Sequence, residues 1–212
     1  MCFSATASFV AGAALTATGA VTLQMTSRKV ELPFAMVPLL FGVQQIIEGF
    51  IWLSLRQEPV AIGIPTIFYS LFSHVLWPIY IPFAVRLLET VPWRRKAMAV
   101  CQVIGLAVGL YLLYFIVQFP VTARVLGSHI AYESPHFYAP SVMVMYLIAT
   151  CVSSLFSSDR IIQVFGALSF VTFVAAYAIH VATFFSVWCF FAAILSLIVF
   201  VYFRQERSGI RA

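Results

Sequence analysis

From Ile161 to Phe203 the chain contains no Asp, Glu, Lys, Arg or Pro, a run of 43 residues. As one helix it would extend roughly 64 Å at 1.5 Å per residue. That is about twice the ~30 Å hydrocarbon thickness of a bilayer. A segment this apolar has no face to offer water, so it must sit in lipid and fold back on itself. The polar stretch from His180 to Ser186 is the natural place for the turn. Similar apolar runs recur along the chain and predict seven membrane-spanning helices at about 5–25, 33–54, 63–85, 97–118, 139–156, 161–181 and 184–203. With 63% hydrophobic and 9% charged residues and a mean hydropathy of +1.02, the 212 residues fall far from soluble domains, which run near 45–50% apolar and about 25% charged. The expected architecture is a single all-α integral membrane bundle over 1–212. The opening Met-Cys-Phe-Ser-Ala-Thr-Ala-Ser lacks the basic region of a signal peptide, so the first span is expected to be retained.

The charged residues then orient the bundle. With seven spans, one side carries Arg28, Lys29, Arg86, Arg94, Arg95, Lys96, Arg160, Arg204, Arg207 and Arg211, and the other carries Arg56 and Arg124, a split of ten to two. Positive-inside bias makes the rich side cytoplasmic. The N-terminus and the long 119–138 loop are then outside a cell membrane and the C-terminus is in the cytoplasm. A pI near 9.2 does not point to nucleic acid, because the basic residues form short clusters between apolar runs. The bilayer is the expected partner, together with a small-molecule or ion ligand, and nothing in the sequence sets an oligomeric state.

Two patterns bear on packing. Ser4, Ser8, Gly12, Thr16 and Ala20 recur every fourth residue of the first span, and small residues at that spacing let helices approach closely in lipid. They fit packing within the bundle or, alternatively, a dimer face. In the third span, Pro78 and Pro82 each remove a backbone donor and crowd the preceding turn. A break is expected between Trp77 and Pro82.

The chemistry expected of the chain centres on Glu48, the one carboxylate well inside a span, where an ionisable group costs a few kcal/mol. Gln44, Glu48 and Trp52 follow one another at four-residue spacing, with Gln45 beside them, as a polar stripe on an apolar helix. His74, with Ser70, Ser73 and Trp77 on one face of the third span, leans toward Glu48 if the two helices are antiparallel neighbours. A contact between them, direct or through water or Gln44, is expected. His129 and His136 lie in the outer loop and His180 at the outer end of the sixth span. A carboxylate with imidazoles suits zinc or iron, so Glu48, His74, His129, His136 and His180 are the candidate ligands for a divalent metal. Each residue also has a plainer reading: hydrogen-bonded helix glue for Glu48 and His74, a solvated face for the loop histidines, an interfacial belt for the tryptophans. Cys2 and Cys189 are both expected outside, where a disulfide could form; an isolated cysteine more commonly packs as a small hydrophobe.

Several chemistries are excluded. Retinal requires a lysine in the last span, and the chain has only Lys29 and Lys96, both in cytoplasmic loops. There is no glycine-rich phosphate loop for ATP, no GxSxG elbow and no HExxH pair. Haem between His74 and His180 would need similar depths, and theirs differ by roughly 12–15 Å.

Met1-Cys-Phe-Ser-Ala-Thr-Ala-Ser-Phe9, the stretch Gln44-Gln-Ile-Ile-Glu-Gly-Phe-Ile-Trp52, Trp77-Pro-Ile-Tyr-Ile-Pro82 and Ser186-Val-Trp-Cys-Phe-Phe-Ala-Ala193 together resemble an uncharacterised prokaryotic family of small multi-spanning membrane proteins. That resemblance implies a membrane protein of undetermined activity and carries no catalytic residue. Three functions remain open: a carrier, channel or binding protein with an outward-facing pocket around Glu48, His74, Gln44, Gln45, Trp52 and Trp77; a metal-dependent membrane enzyme using Glu48 and the histidines; or a structural protein.

Overall fold

The computed structural model describes residues 4–58, 60–61, 63–135, 137, 139–179 and 181–208. Among them, seven helices form one bundle: α1 (Ala5–Gln24), α2 (Lys29–Ser54), α3 (Ile64–Leu88), α4 (Pro92–Gln118), α5 (Pro140–Leu155), α6 (Arg160–Ile179) and α7 (Phe184–Arg207). Six are long and apolar enough to cross a membrane, and α5 is apolar but shorter. The chain folds back between α6 and α7 as the charge-free run requires.

α1 begins where the Ser4 hydroxyl accepts the Ala7 N–H at 3.2 Å and packs along α2 with almost no side chain between the two backbones. A Cβ on Gly12 would lie 2.7 Å from Ile46, and one on Gly42 would lie 2.5 Å from the Thr16 hydroxyl. Small residues thus serve packing inside the bundle. The buried face is Ala5, Ser8, Gly12, Leu15, Gly19 and Thr22. It is not the strict four-residue ladder, and Ala20 is exposed. Steps of four overshoot a 3.6-residue turn by about 40° each, so the ladder drifts off the contact and Gly19 takes the place expected of Ala20.

In α3 the expected break comes a turn early. Leu71–Leu76 form a π-turn, closed by the Trp77 N–H bonding the Phe72 carbonyl, and the helix then runs on through Pro82 to Leu88. The prolines explain it. In the π register, the Ser73 carbonyl would wait on the N–H of residue 78, which proline lacks. The Tyr146 hydroxyl of α5 donates to that carbonyl instead. The Pro78 carbonyl loses its donor to Pro82 in the same way and faces Gly105 of α4, where any Cβ would overlap it. A second π-turn, Ile148–Val152, lies in α5, on the element that supplies Tyr146.

The 119–138 segment, read from the sequence as a loop, contains strands, so the bundle is not purely helical. β2 (Thr122–Leu126) and β3 (His129–Glu133) form an antiparallel hairpin turned at Gly127, whose φ of +63° suits glycine. β1 (Val60–Ala61) pairs with β2 from the α2–α3 connection. The exposed Arg124 and Glu133 pair across the hairpin, Nε to Oε1 at 2.8 Å. Ala123, Ile130 and Tyr132 bury against Ile51, Ala61 and Tyr69 at this end of the bundle. β3 does not alternate: its apolar run Ile130-Ala-Tyr132 is buried throughout, because the strand also packs against α7.

At the opposite end the connections are tied by charge. Glu89, 3% exposed, accepts from the N–H of Val91 at 2.8 Å, the N–H of Ser158 at 2.6 Å and the Ser158 hydroxyl at 3.0 Å. Arg94 donates to the carbonyls of Phe156 and Ser157, satisfying the end of α5.

Candidate functional site

Beneath the hairpin, Glu48 is fully buried. Gly42 and Gly49 hold α2 against α1, and helix periodicity places Glu48 about 100–120° around from them, on the face toward the rest of the bundle. Its Oε1 accepts from the Ser186 hydroxyl of α7 at 2.8 Å and from the Tyr132 hydroxyl of β3 at 3.4 Å. Tyr132 stacks on Tyr69 of α3 with ring centroids 4.3 Å apart and 9° between planes. The stacked pair lies between the carboxylate and the hairpin surface. One turn along α2, the Gln44 Oε1 accepts the Trp77 indole N–H at 2.7 Å, and Trp77 stacks on Phe41 at 3.8 Å. The Cys189 thiol lies beside Gln44 and Tyr69 and close to Glu48.

His74 goes elsewhere. Its ring is held between Phe137 and Phe185, with centroids at 3.8 and 3.9 Å, and its Nδ1 is 2.7 Å from the Ser73 hydroxyl. Adjacent residues of α7 separate the two candidates: Phe185 covers the imidazole while Ser186 bonds the carboxylate. No direct hydrogen bond joins the two: the His74 Nδ1 meets Ser73, and its Nε2 has no partner among the described residues. The candidate ligands Glu48, His74 and His129 do not converge, and among the described residues no three His, Cys, Asp or Glu are placed to hold a metal ion. His136 and His180 lie outside the described residues, as does Cys2, the expected partner of Cys189. Cys189 itself is a free, buried thiol. His129 is buried on β3.

The predicted stripe of Gln44, Gln45, Glu48 and Trp52 is present, and its surroundings are unusual. Among the described residues, no hydrogen-bond partner is found for the Ser70 hydroxyl, the His74 Nε2, either end of the Gln45 amide, the Gln44 amide nitrogen or the Trp52 indole N–H, all of them buried atoms. An unmade buried hydrogen bond costs about 1–3 kcal/mol, and native proteins carry few. These atoms are concentrated on α2 and the adjoining part of α3.

Sequence reasoning did not assign Tyr69, Tyr132, Ser186 or Cys189 to this site. For Tyr132 a signal existed: Gly127-Ser128 between two β-prone five-residue stretches is a hairpin pattern. For Ser186 and Cys189 the only signal was that α7 had to return through the bundle.

The sequence model of a family described as "Family of unknown function (DUF6629)" matches residues 1–212. No curated protein and no solved structure matches the chain.

Proposed function

The chain belongs to this family of unknown function, DUF6629, over its whole length, and from that membership and the geometry around Glu48 we propose that it is a seven-span membrane protein that binds or moves a small molecule or ion at that carboxylate. The observation that carries the reading is the set of unpartnered buried groups gathered about a buried glutamate. A glutamate serving only as glue would be surrounded by satisfied donors. Of the Lys and Arg among the described residues, all but Arg56 and Arg124 fall on the side opposite the hairpin, so by positive-inside bias the hairpin is external. Ligand would approach from that side. The Tyr69–Tyr132 stack is then the cover over the site, and Gln44, Gln45, Trp52 and Trp77 supply its polar lining.

A second reading has one observation in its favour. Through Ser186 and Tyr132, Glu48 ties α2, α7 and β3 together, which is what helix glue does. Infrared difference spectroscopy on the reconstituted protein separates the two. Under the proposal, a carboxyl band assigned to Glu48 responds to a change of external pH or cation and vanishes in Glu48→Gln. A band that ignores every external change would leave the glue reading.

A further inference from the structure

We infer that the start of α4 holds an anionic phospholipid: Arg95 and Lys96 pair with its phosphate, and an acyl chain follows the apolar stripe that runs on from them. The inference needs the bundle to sit in a bilayer and is independent of the reading of Glu48.

The charge at this place has no counterpart in the protein. Arg95 and Lys96 are exposed, and four carboxylates share their end of the bundle. Each of the four is engaged. Glu31 is held by Arg28 and the Ser27 N–H, and Glu206 also meets Arg28. Glu89 accepts from Val91 and Ser158, and the Asp159 Oδ1 accepts the N–H groups of Ile161 and Ile162. Among the described residues no ion pair reaches Arg95 or Lys96. Their position does not help α4 either, because positive charge near a helix N-terminus opposes the dipole. Membrane orientation asks only for positive charge at this end of the bundle, not for charge at the start of a helix.

The surface that continues from the charge is apolar. Val100, Val103 and Leu110 lie within about 40° of Lys96 around α4, and they are 61%, 66% and 54% exposed. Val103 is about 10 Å and Leu110 about 21 Å farther along the axis. Trp93, exposed one turn before Lys96, has the Arg94 guanidinium 5.0 Å from its ring centroid. An indole at this level marks the membrane interface. Arg94 is itself spent on the Phe156 and Ser157 carbonyls, which ties the start of α4 to the end of α5. The surface is therefore preformed, and a ligand pays little to order it. Headgroup charge above and hydrocarbon below is the pattern of a phospholipid. A soluble phosphate would match the charge and leave the stripe bare. A second copy docked by the same face would cover the stripe but set Arg95 and Lys96 against their own likeness, and like charges facing each other are costly.

The test is native mass spectrometry of the full-length protein from detergent containing equal amounts of phosphatidylglycerol and phosphatidylcholine with the same chains. The wild type should retain phosphatidylglycerol in preference. Arg95→Gln combined with Lys96→Gln should lower that preference by about fivefold for each charge removed. Lys29→Gln combined with Arg207→Gln removes the same charge from the same end and should leave it unchanged. Equal losses in the two double variants would mean a diffuse field rather than a site and would overturn the inference. So would a wild type without preference, a dimer that retains no lipid, or displacement of the lipid by inorganic phosphate. A second measurement does not depend on those variants. In vesicles, bromine on the chains of phosphatidylglycerol should quench the fluorescence that Trp93→Phe removes more strongly than bromine on phosphatidylcholine; equal quenching counts against the site.

Discussion

Glu89 and Glu48 are both removed from water, and they are held in opposite ways. Glu89 sits where two connections meet and receives two backbone N–H groups and a hydroxyl within 3.0 Å. Burial alone would push its carboxyl up, but those donors outweigh it and hold the pKa below the ordinary 4.5. Glu31 follows the same pattern, with the N–H groups of Ser27 and Arg28 and the Arg28 guanidinium around it. Glu48 receives the hydroxyls of Ser186 at 2.8 Å and of Tyr132 at 3.4 Å, and its helix carries buried amide and indole groups with no hydrogen-bond partner among the described residues. A carboxylate with saturated donors fixes a backbone. Glu48, bonded by the hydroxyls of Ser186 and Tyr132, is the carboxyl that under the proposal changes its protonation or accepts a ligand without dismantling the fold.

The largest effect should come from the frame that both carboxylates share. Gly105→Ala drives a methyl into the Pro78 carbonyl and should cost about 3 kcal/mol or more, read as a fall in thermal stability in detergent. A wild-type melting temperature would mean that α3 and α4 do not meet as described. Next, Glu89→Gln should cost about 2 kcal/mol, because a charge-assisted bond contributes roughly 1.5–3 kcal/mol and the amide puts a donor where an acceptor is needed. Glu89 also sets an acid limit. A carboxylate with a depressed pKa adds stability that is present above its unfolded value and is lost as pH falls through the folded one. The wild type should therefore weaken on acidification below about pH 4.5, and Glu89→Gln should weaken less over the same window. Matching slopes in the two proteins would dissolve the distinction drawn above. By contrast, Glu48→Gln keeps an acceptor for Ser186 and should change stability by less than about 1 kcal/mol. The smallest effect belongs to Tyr132→Phe, about 0.5 kcal/mol through its long hydrogen bond, although exchange at Glu48 from outside should become faster once the cover is loosened. Slower exchange would contradict its role as a cover.

How much of this was legible follows from what each residue depends on. The seven apolar runs fixed the helices to within a few residues, because burial in lipid leaves a continuous record along the chain. Glu48 and its stripe were legible for the same reason: a carboxylate among Phe, Ile and Val stands out. The partners were not. Ser186 meets Glu48 at a sequence separation of 138 residues, and a serine near a helix start carries no mark of that contact. For His74 the sequence carried no sign of Phe137 and Phe185, whose rings lie against the imidazole from distant parts of the chain. The break in α3 was foreseen from Pro78 and Pro82, but its displacement to Leu71–Leu76 depends on Tyr146, which belongs to another helix. The hairpin was misread as a loop because its strands are five residues each and cover only a small apolar cluster.

The central claim is that Glu48 acts rather than merely holds helices together, and one paired measurement addresses it: the infrared response of the Glu48 carboxyl to external pH or cation, and the thermal stability of the wild type and Glu48→Gln, determined on the same reconstituted samples. The account predicts that the wild-type band responds and that Glu48→Gln keeps the melting temperature. A band that ignores every external change, with a clear loss of stability in Glu48→Gln, would contradict it and make Glu48 a second Glu89.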